Sequence, residues 1–313
     1  MESKKVLVTG AAGFLGSNLS KRLILDGFNV IGIDNFYTGR MHNIQELVNH
    51  PQFTFIEHDI IQPLDISCDW IFNFACPASP PHYQKDPIFT AKTNFMGSLN
   101  MLELAHQNSA RIMQASTSEV YGNPLQHPQT EQYWGNVHTT GPRACYDEGK
   151  RVAESLFFDY KRMHNLDIKV IRIFNTYGPG MDPLDGRVVS NFIMQALRGE
   201  PITLYGTGNQ TRSFCYVDDL INGIMAMMQS DVSVAGPINL GNPIEFTLKE
   251  LVETLESVLG RKLNIVMMPL PEDDPTRRQP DITLAKQLLN WQPTVNLPTG
   301  LKKTIDYFRQ FVS

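Results

Sequence analysis

Residues 6–19, "VLVTGAAGFLGSNL", decide the fold. A valine-rich apolar run stops at Gly10, and Gly13 and Gly16 follow at three-residue spacing as a helical stretch, Phe14 to Leu25, begins. Strand, glycine turn and helix in that order make a dinucleotide cradle. Glycines let the backbone turn tightly and approach a pyrophosphate, and the free N–H groups of the helix N-terminus attract it. A glycine triplet alone is weak evidence, since turns collect glycine; its place between a strand and a helix gives it weight. The second strand, "NVIGID", ends at Asp34, where a carboxylate accepts both hydroxyls of an adenosine ribose and repels a 2′-phosphate. NAD is therefore expected over NADP, with Arg40 as the nearby residue that argues the other way. Asp59, in "EHDI", is expected to end the third strand and accept from the adenine amino group; the alternative is an ordinary turn aspartate.

Outward from that stretch, "KKVLVTG", "NVIGID", "FTFIEHDI", "DWIFNFA", "RIMQAST" and "IKVIRIF" each read as a buried parallel strand. Helical stretches separate them: Phe14 to Leu25, about Pro87 to Gln107, and Ala144 to His164. The alternation predicts an α/β fold, a doubly wound parallel (Rossmann-type) sheet with a smaller, mixed C-terminal substrate-binding layer. The NAD-binding domain is placed at residues 1–175, with about 214–241 rejoining it through the strand "PINLG", and the substrate-binding part mainly at 176–313. "ITLYGTGNQTRSF" reads as extended, and from Thr247 a helix, "NIVMMPLP" and two terminal helices follow. The catalytic cleft is expected between the carboxyl ends of the strands and this C-terminal layer.

With 313 residues, 42% hydrophobic and 19% charged, the chain reads as soluble and globular. A net charge of −5 gives no footprint for nucleic acid or an anionic membrane surface. No run approaches the ~18–20 apolar residues of a membrane span, and "MESKKVLVTG" passes directly into a strand, so a cytoplasmic protein is expected. Cys68, Cys76, Cys145 and Cys215 lie far apart without a Cys-x-x-Cys pair, which suits reduced core or cleft thiols; no metal site is expected.

The chemistry is expected from two stretches. In "YDEGK", Tyr146 and Lys150 are four residues apart and share one face of a predicted helix. Among 10 tyrosines such a spacing also arises by chance, as a packed tyrosine beside a solvated lysine. In the functional reading Lys150 and the positive nicotinamide ring of NAD together lower the phenol from ~10 to about 7, a preference of roughly 4 kcal/mol for the phenolate. Tyr146 then takes a proton from a substrate hydroxyl while NAD receives the hydride. In "STSEVYG" (116–122), the fifth strand ends in the same crevice. Thr117 is expected to share that hydroxyl, leaving Ser118 and Glu119 to act on an adjacent carbon.

The glycine fingerprint, Asp34, "STSEVYG" and "YDEGK" together resemble the extended short-chain dehydrogenases/reductases that act on nucleotide sugars. "ACPASPPHYQ", "GPRACYDEGKRVAE", "RIFNTYGPGM", "DGRVVSNFI", "TRSFCYVDDL" and "DDPTRRQPDI" more closely resemble the UDP-glucuronate decarboxylase (UDP-xylose synthase) family. The resemblance implies a homodimer built on the helices at about 87–107 and 144–164, a UDP-sugar substrate and bound NAD. It places Gly10, Gly13, Phe14, Leu15 and Gly16 at the pyrophosphate, and Asp34, Asn35, Tyr37, Thr38 and Gly39 around the adenosine ribose. Asp59 and Ile60 fall at adenine. Phe74, Ala75, Thr93, Asn94, Ala115 and Thr176 join Tyr146 and Lys150 along the rest of the cofactor. Lys92 and Glu119 are implied near the sugar. Asn175, Arg187, Val188, Asn191, Tyr205, Arg212 and Arg278 are implied around the nucleotide diphosphate and base, where a guanidinium fork pairs with phosphate oxygens. The related 4,6-dehydratases carry Thr-Asp-Glu, whose aspartate protonates a departing hydroxyl, and the 4-epimerases typically lack the glutamate. Thr117-Ser118-Glu119 departs from both. The expected reaction is decarboxylation of UDP-glucuronate to UDP-xylose through a 4-keto intermediate. Dehydratase or epimerase activity and an inactive NAD-binding scaffold are the alternatives.

Overall fold

The computed structural model describes residues 3–269 and 278–312; residues 273–277 of the "DDPTRRQPDI" stretch and the end of "NIVMMPLP" lie outside them. Seven parallel strands form the central sheet. In chain order the first six are β1 (Lys5–Thr9), β2 (Asn29–Asp34), β3 (Phe53–Glu57), β4 (Trp70–Asn73), β5 (Arg111–Thr117) and β6 (Ile168–Ile173). The seventh, Ile238–Leu240, pairs with β6, so the spatial order is Ile238–Leu240, β6, β5, β4, β1, β2, β3. The order reverses between β1 and β4, and a ligand crevice opens at the carboxyl ends on either side of such a switch point.

Burial on both faces explains the strand composition. Val6, Leu7 and Val8 of β1 and Ile112 and Met113 of β5 are fully buried, because helices cover the sheet above and below. One face packs against the Phe14–Leu25 and Val217–Gln229 helices, the other against Ser98–Asn108 and Ala144–His164. The helix foreseen from Pro87 is continuous to Asn108, but Thr93–Gly97 forms a π-turn between its α-helical parts. The third strand stops at Glu57, and Asp59 sits two residues beyond its end rather than on it.

The C-terminal layer is built from short pieces. Ile202–Tyr205 pairs with Ile265–Met268, Thr211–Ser213 with Glu245–Thr247, and Cys215–Tyr216 with Thr176–Tyr177. The Leu248–Leu259 helix starts with a capping box between Thr247 and Glu250. Leu297–Phe308 packs against that helix. These elements stand beside the carboxyl ends of the sheet and close one wall of the crevice.

Candidate active site

A single cavity of about 640 Å³ runs from the glycine turn to the C-terminal layer. At one end the backbone of the turn is packed as closely as it can be. Gly10 has φ +70°, and a Cβ there would meet the Ala75 backbone at 3.0 Å; one at Gly16 would lie 2.0 Å from the Gly10 carbonyl oxygen. The Thr9 hydroxyl fixes the neighbouring strand end by accepting from the N–H groups of Phe74 and Ala75, both at 3.0 Å. The helix that follows has no acidic residue in its first turn and no side-chain cap, so its leading N–H groups face the cavity mouth as an anion cradle.

Asp34, at the end of β2, is buried and accepts from Ala12 N at 2.9 Å and Phe36 N at 2.8 Å. Burial raises its pKa, and those backbone hydrogen bonds oppose the rise. Gly39 lies so near that a Cβ would come within 2.6 Å of the carboxylate. Asp59 accepts from Asn35 Nδ2 at 3.1 Å and from Ile61 N at 3.0 Å. The glycine cradle and the Asp34 carboxylate fit a dinucleotide with free ribose hydroxyls, as NAD has.

At the other end β5 delivers Thr117, the 3-10 turn Ser118–Tyr121 that follows it delivers Ser118 and Glu119, and the Ala144–His164 helix delivers Tyr146 and Lys150. Lys150 is buried and its ammonium donates to the Ala115 carbonyl at 2.9 Å, tying the helix to β5. Burial lowers its pKa; Cys76 and Glu154 counter that. The lowered Tyr146 pKa expected from the sequence calls on Lys150 and the positive nicotinamide ring together, and the protein's own groups do not supply it. Burial raises the pKa well above the ordinary tyrosine value, and the neighbouring Thr117 hydroxyl and Arg187 only partly oppose this. Lys150 lies 5.8 Å from the Tyr146 ring centroid, with its ammonium hydrogen-bonded to the Ala115 carbonyl. Tyr83, from "ACPASPPHYQ", stacks flat on that ring, with centroids 5.0 Å apart and planes within 6°.

Glu119 is held between two guanidiniums. Its Oε2 accepts from Arg143 and from Arg278, the latter at 3.1 Å. Burial would raise its pKa, but the charges of Arg278, Arg143 and Arg212 outweigh it and hold the carboxyl below its ordinary value. Glu119 is thus a carboxylate at neutral pH. Arg278 also donates to the Ser118 carbonyl at 2.7 Å. Its guanidinium therefore stands beside the triplet, at the reaction end of the cavity. Arg143 was missed in the sequence, although it lies three residues before Tyr146, one helical turn away. Asp147 sits beside this cluster without lining the cavity. Burial first, then the charge of Glu119, push its pKa up to about 7, and its Oδ1 has no hydrogen-bond partner among the described residues.

Of the residues named from sequence, all but three line the cavity. Arg187 does so while held by Asp185, as do Asn175, Thr176, Val188, Asn191, Tyr205 and Arg212. Gly39 acts from behind Asp34. Asn94 is buried, donates to the Thr90 carbonyl at 3.1 Å and packs against Gly149 of the catalytic helix. Lys92 is exposed outside the cavity. Cys76 lines the cavity near Lys150, whereas Cys68 and Cys215 are buried in the core.

Fold and site together define an extended short-chain dehydrogenase/reductase of the kind that works on nucleotide sugars. Residues 7–304 match the model of the GDP-mannose 4,6 dehydratase family. Within that breadth the chain belongs to the UDP-glucuronic acid decarboxylase family. It is 52% identical over 307 residues to UDP-glucuronic acid decarboxylase 1 of Danio rerio, covering 98% of this chain and 73% of the relative. To UDP-glucuronic acid decarboxylase 4 of Arabidopsis thaliana it is 53% identical over 308 residues, 98% and 69% of the two chains. Among solved structures it is similar to the UDP-glucuronic acid 4-epimerase of Bacillus cereus in complex with UDP-glucuronic acid and NAD. The TM-score is 0.89 at 30% identity, over 98% of this chain and 99% of that one. The dTDP-glucose 4,6-dehydratase of Bacillus anthracis in complex with NAD follows, with a TM-score of 0.85 at 25% identity, over 98% and 97%.

Proposed function

We propose that this protein decarboxylates UDP-glucuronate to UDP-xylose and CO2, with bound NAD and no net redox change. The observation that carries this is Glu119. The triplet Thr117-Ser118-Glu119 puts one carboxyl in the cavity beside Tyr146, and two guanidiniums keep it ionised. A dehydratase needs a neutral acid to release a hydroxyl as water; loss of CO2 needs none.

NAD, when bound, supplies the reversible oxidation of C4 and a positive ring near the phenol. Tyr146, as the phenolate that Lys150 and this positive ring together favour, takes the proton from the C4 hydroxyl, and Thr117 orients that oxygen. Lys150 keeps a positive charge behind the pair and locks the helix onto β5. The 4-keto sugar is a β-keto acid, so the C5–carboxylate bond breaks with its electrons moving into the C4 carbonyl. The reprotonated Tyr146 and Thr117 donate to the developing enolate oxygen. Glu119, held as an anion, is a poor proton donor; it orients Ser118 or a water for delivery to C5. Arg187 and Arg212 meet the diphosphate, with Tyr205 and Asn175 toward the base.

Residues 1–175 with about 214–241 form the cofactor half, and the rest of 176–313 mainly the nucleotide-sugar half. A homodimer is supported by exposed apolar side chains on two neighbouring helices: Phe95 and Met96 (44% and 42% exposed) and Val152. Sedimentation at micromolar concentration checks this. The function is tested on a panel of nucleotide sugars with mass spectrometry of the products. UDP-glucuronate is expected to yield UDP-xylose with one CO2 per sugar; loss of water from dTDP-glucose, or epimerisation with the carboxylate retained, overturns the reading.

A further inference from the structure

The cofactor end of the cavity is crossed by a loop, residues 178–182, that the chemistry above does not use. Three side chains from the Rossmann half hold it. Asn18 Nδ2 donates to the Pro179 carbonyl at 2.9 Å, Asn43 Nδ2 to the Gly180 carbonyl at 3.2 Å, and Arg40 pairs with Asp182 at 2.6 Å. The loop is fitted closely: Gly180 has φ +90°, and a Cβ there would meet Asn18 Nδ2 at 2.9 Å. Asp182 is steadied further by accepting from Leu184 N at 2.8 Å.

Arg40 is as firmly placed. Its backbone N–H donates to the Ala12 carbonyl at 2.9 Å, and Asn43 Nδ2 donates to the same carbonyl at 3.0 Å. The residue before it, Gly39, lies against the Asp34 carboxylate. Arg40 therefore follows directly on the contact that surrounds the ribose-reading group, and it lines the cavity with Asp34. A guanidinium there is what a 2′-phosphate would seek. Asp182, 17% exposed at its side chain, already occupies it.

We propose that Asp182 is a cofactor-specificity residue: by pairing with Arg40 it withholds the guanidinium from a 2′-phosphate and reinforces the discrimination that Asp34 begins. The loop tie and the charge pair act together, since Asp182 reaches Arg40 only while Asn18 and Asn43 hold the loop over the turn. Neutralising position 182 leaves Arg40 free to turn toward a phosphate. The inference rests on the dinucleotide reading and is independent of the sugar.

The test is calorimetric titration of the full-length protein with NAD and with NADP, which reads affinity without turnover. The wild-type titration alone tests Asp34, through a preference for NAD. For Asp182, D182N is expected to shift the affinity ratio toward NADP by about tenfold or more, the size of one charge-assisted hydrogen bond. The double variant D182N/R40Q is expected to lose that gain. R40Q alone is expected to leave the weak NADP affinity of the wild type unchanged. An unaltered ratio in D182N, or a gain that survives in the double variant, overturns the proposal. So does a fall in NADP affinity in R40Q, which would mean that Arg40 already serves the phosphate.

Discussion

Asp147→Asn should leave stability near pH 4 little changed and raise it at pH 8. Asp147 is buried, its Oδ1 lacks a partner, and burial together with Glu119 raises its pKa from 3.8 to about 7. A carboxyl raised in the folded state binds more protons there than in the unfolded chain. Its protonation therefore favours folding below the folded value, and stability falls as pH rises from 3.8 to about 7. The fall is about 1.4 kcal/mol per pH unit, roughly 4 kcal/mol in all, and is complete above pH ~7. Asparagine removes that penalty. Where the carboxyl is protonated, the exchange replaces one neutral group by another of the same shape and costs little, since Oδ1 has no partner to lose among the described residues. The variant is therefore expected to match the wild type near pH 4 and to be more stable by up to roughly 4 kcal/mol at pH 8. Urea unfolding of both proteins at pH 4.5, 6 and 8 reads the difference directly, because every other titrating group is shared. A difference that does not change with pH would refute the reasoning about Asp147.

Asp34→Ala should weaken NAD binding by about 1–3 kcal/mol in a direct titration, through loss of a buried acceptor for the ribose hydroxyls; unchanged affinity contradicts the ribose assignment. Tyr146→Phe keeps the ring stacked on Tyr83 and should lower turnover by at least ~10²-fold with UDP-sugar affinity little changed. Near-normal turnover in that variant removes Tyr146 as the base. Glu119→Ala should lose turnover while NAD still binds, and the loss should exceed that of Ser118→Ala; equal and mild effects would return both side chains to a structural role.

The sheet was legible because its signals are local. Runs such as "KVLVT" and "NVIGID" are continuously apolar only where both faces are covered, and Phe14–Leu25 and Ala144–His164 end where their glycine and polar neighbours stop them. The π-turn at Thr93–Gly97 carries no such mark, since it shifts hydrogen bonds without changing the apolar period. The site divided in the same way. Gly10, Asp34, Thr117 and Tyr146 are set by strand and helix ends, which spacing reveals. The partners of Glu119 are not: Arg143 comes from the start of one helix and Arg278 from a segment 159 residues away. The depth at which Tyr146 is buried, which raises its pKa, is likewise not readable from spacing.

The central claim is that C4 is oxidised and reduced at one site while C5 loses CO2. The direct measurement is turnover of UDP-glucuronate in D2O with NMR of the sugar product. The account predicts UDP-xylose carrying one deuterium at C5, delivered from solvent near Glu119 and Ser118, with the original hydrogen retained at C4. A product that keeps its carboxylate, or UDP-xylose without deuterium at C5, would contradict it.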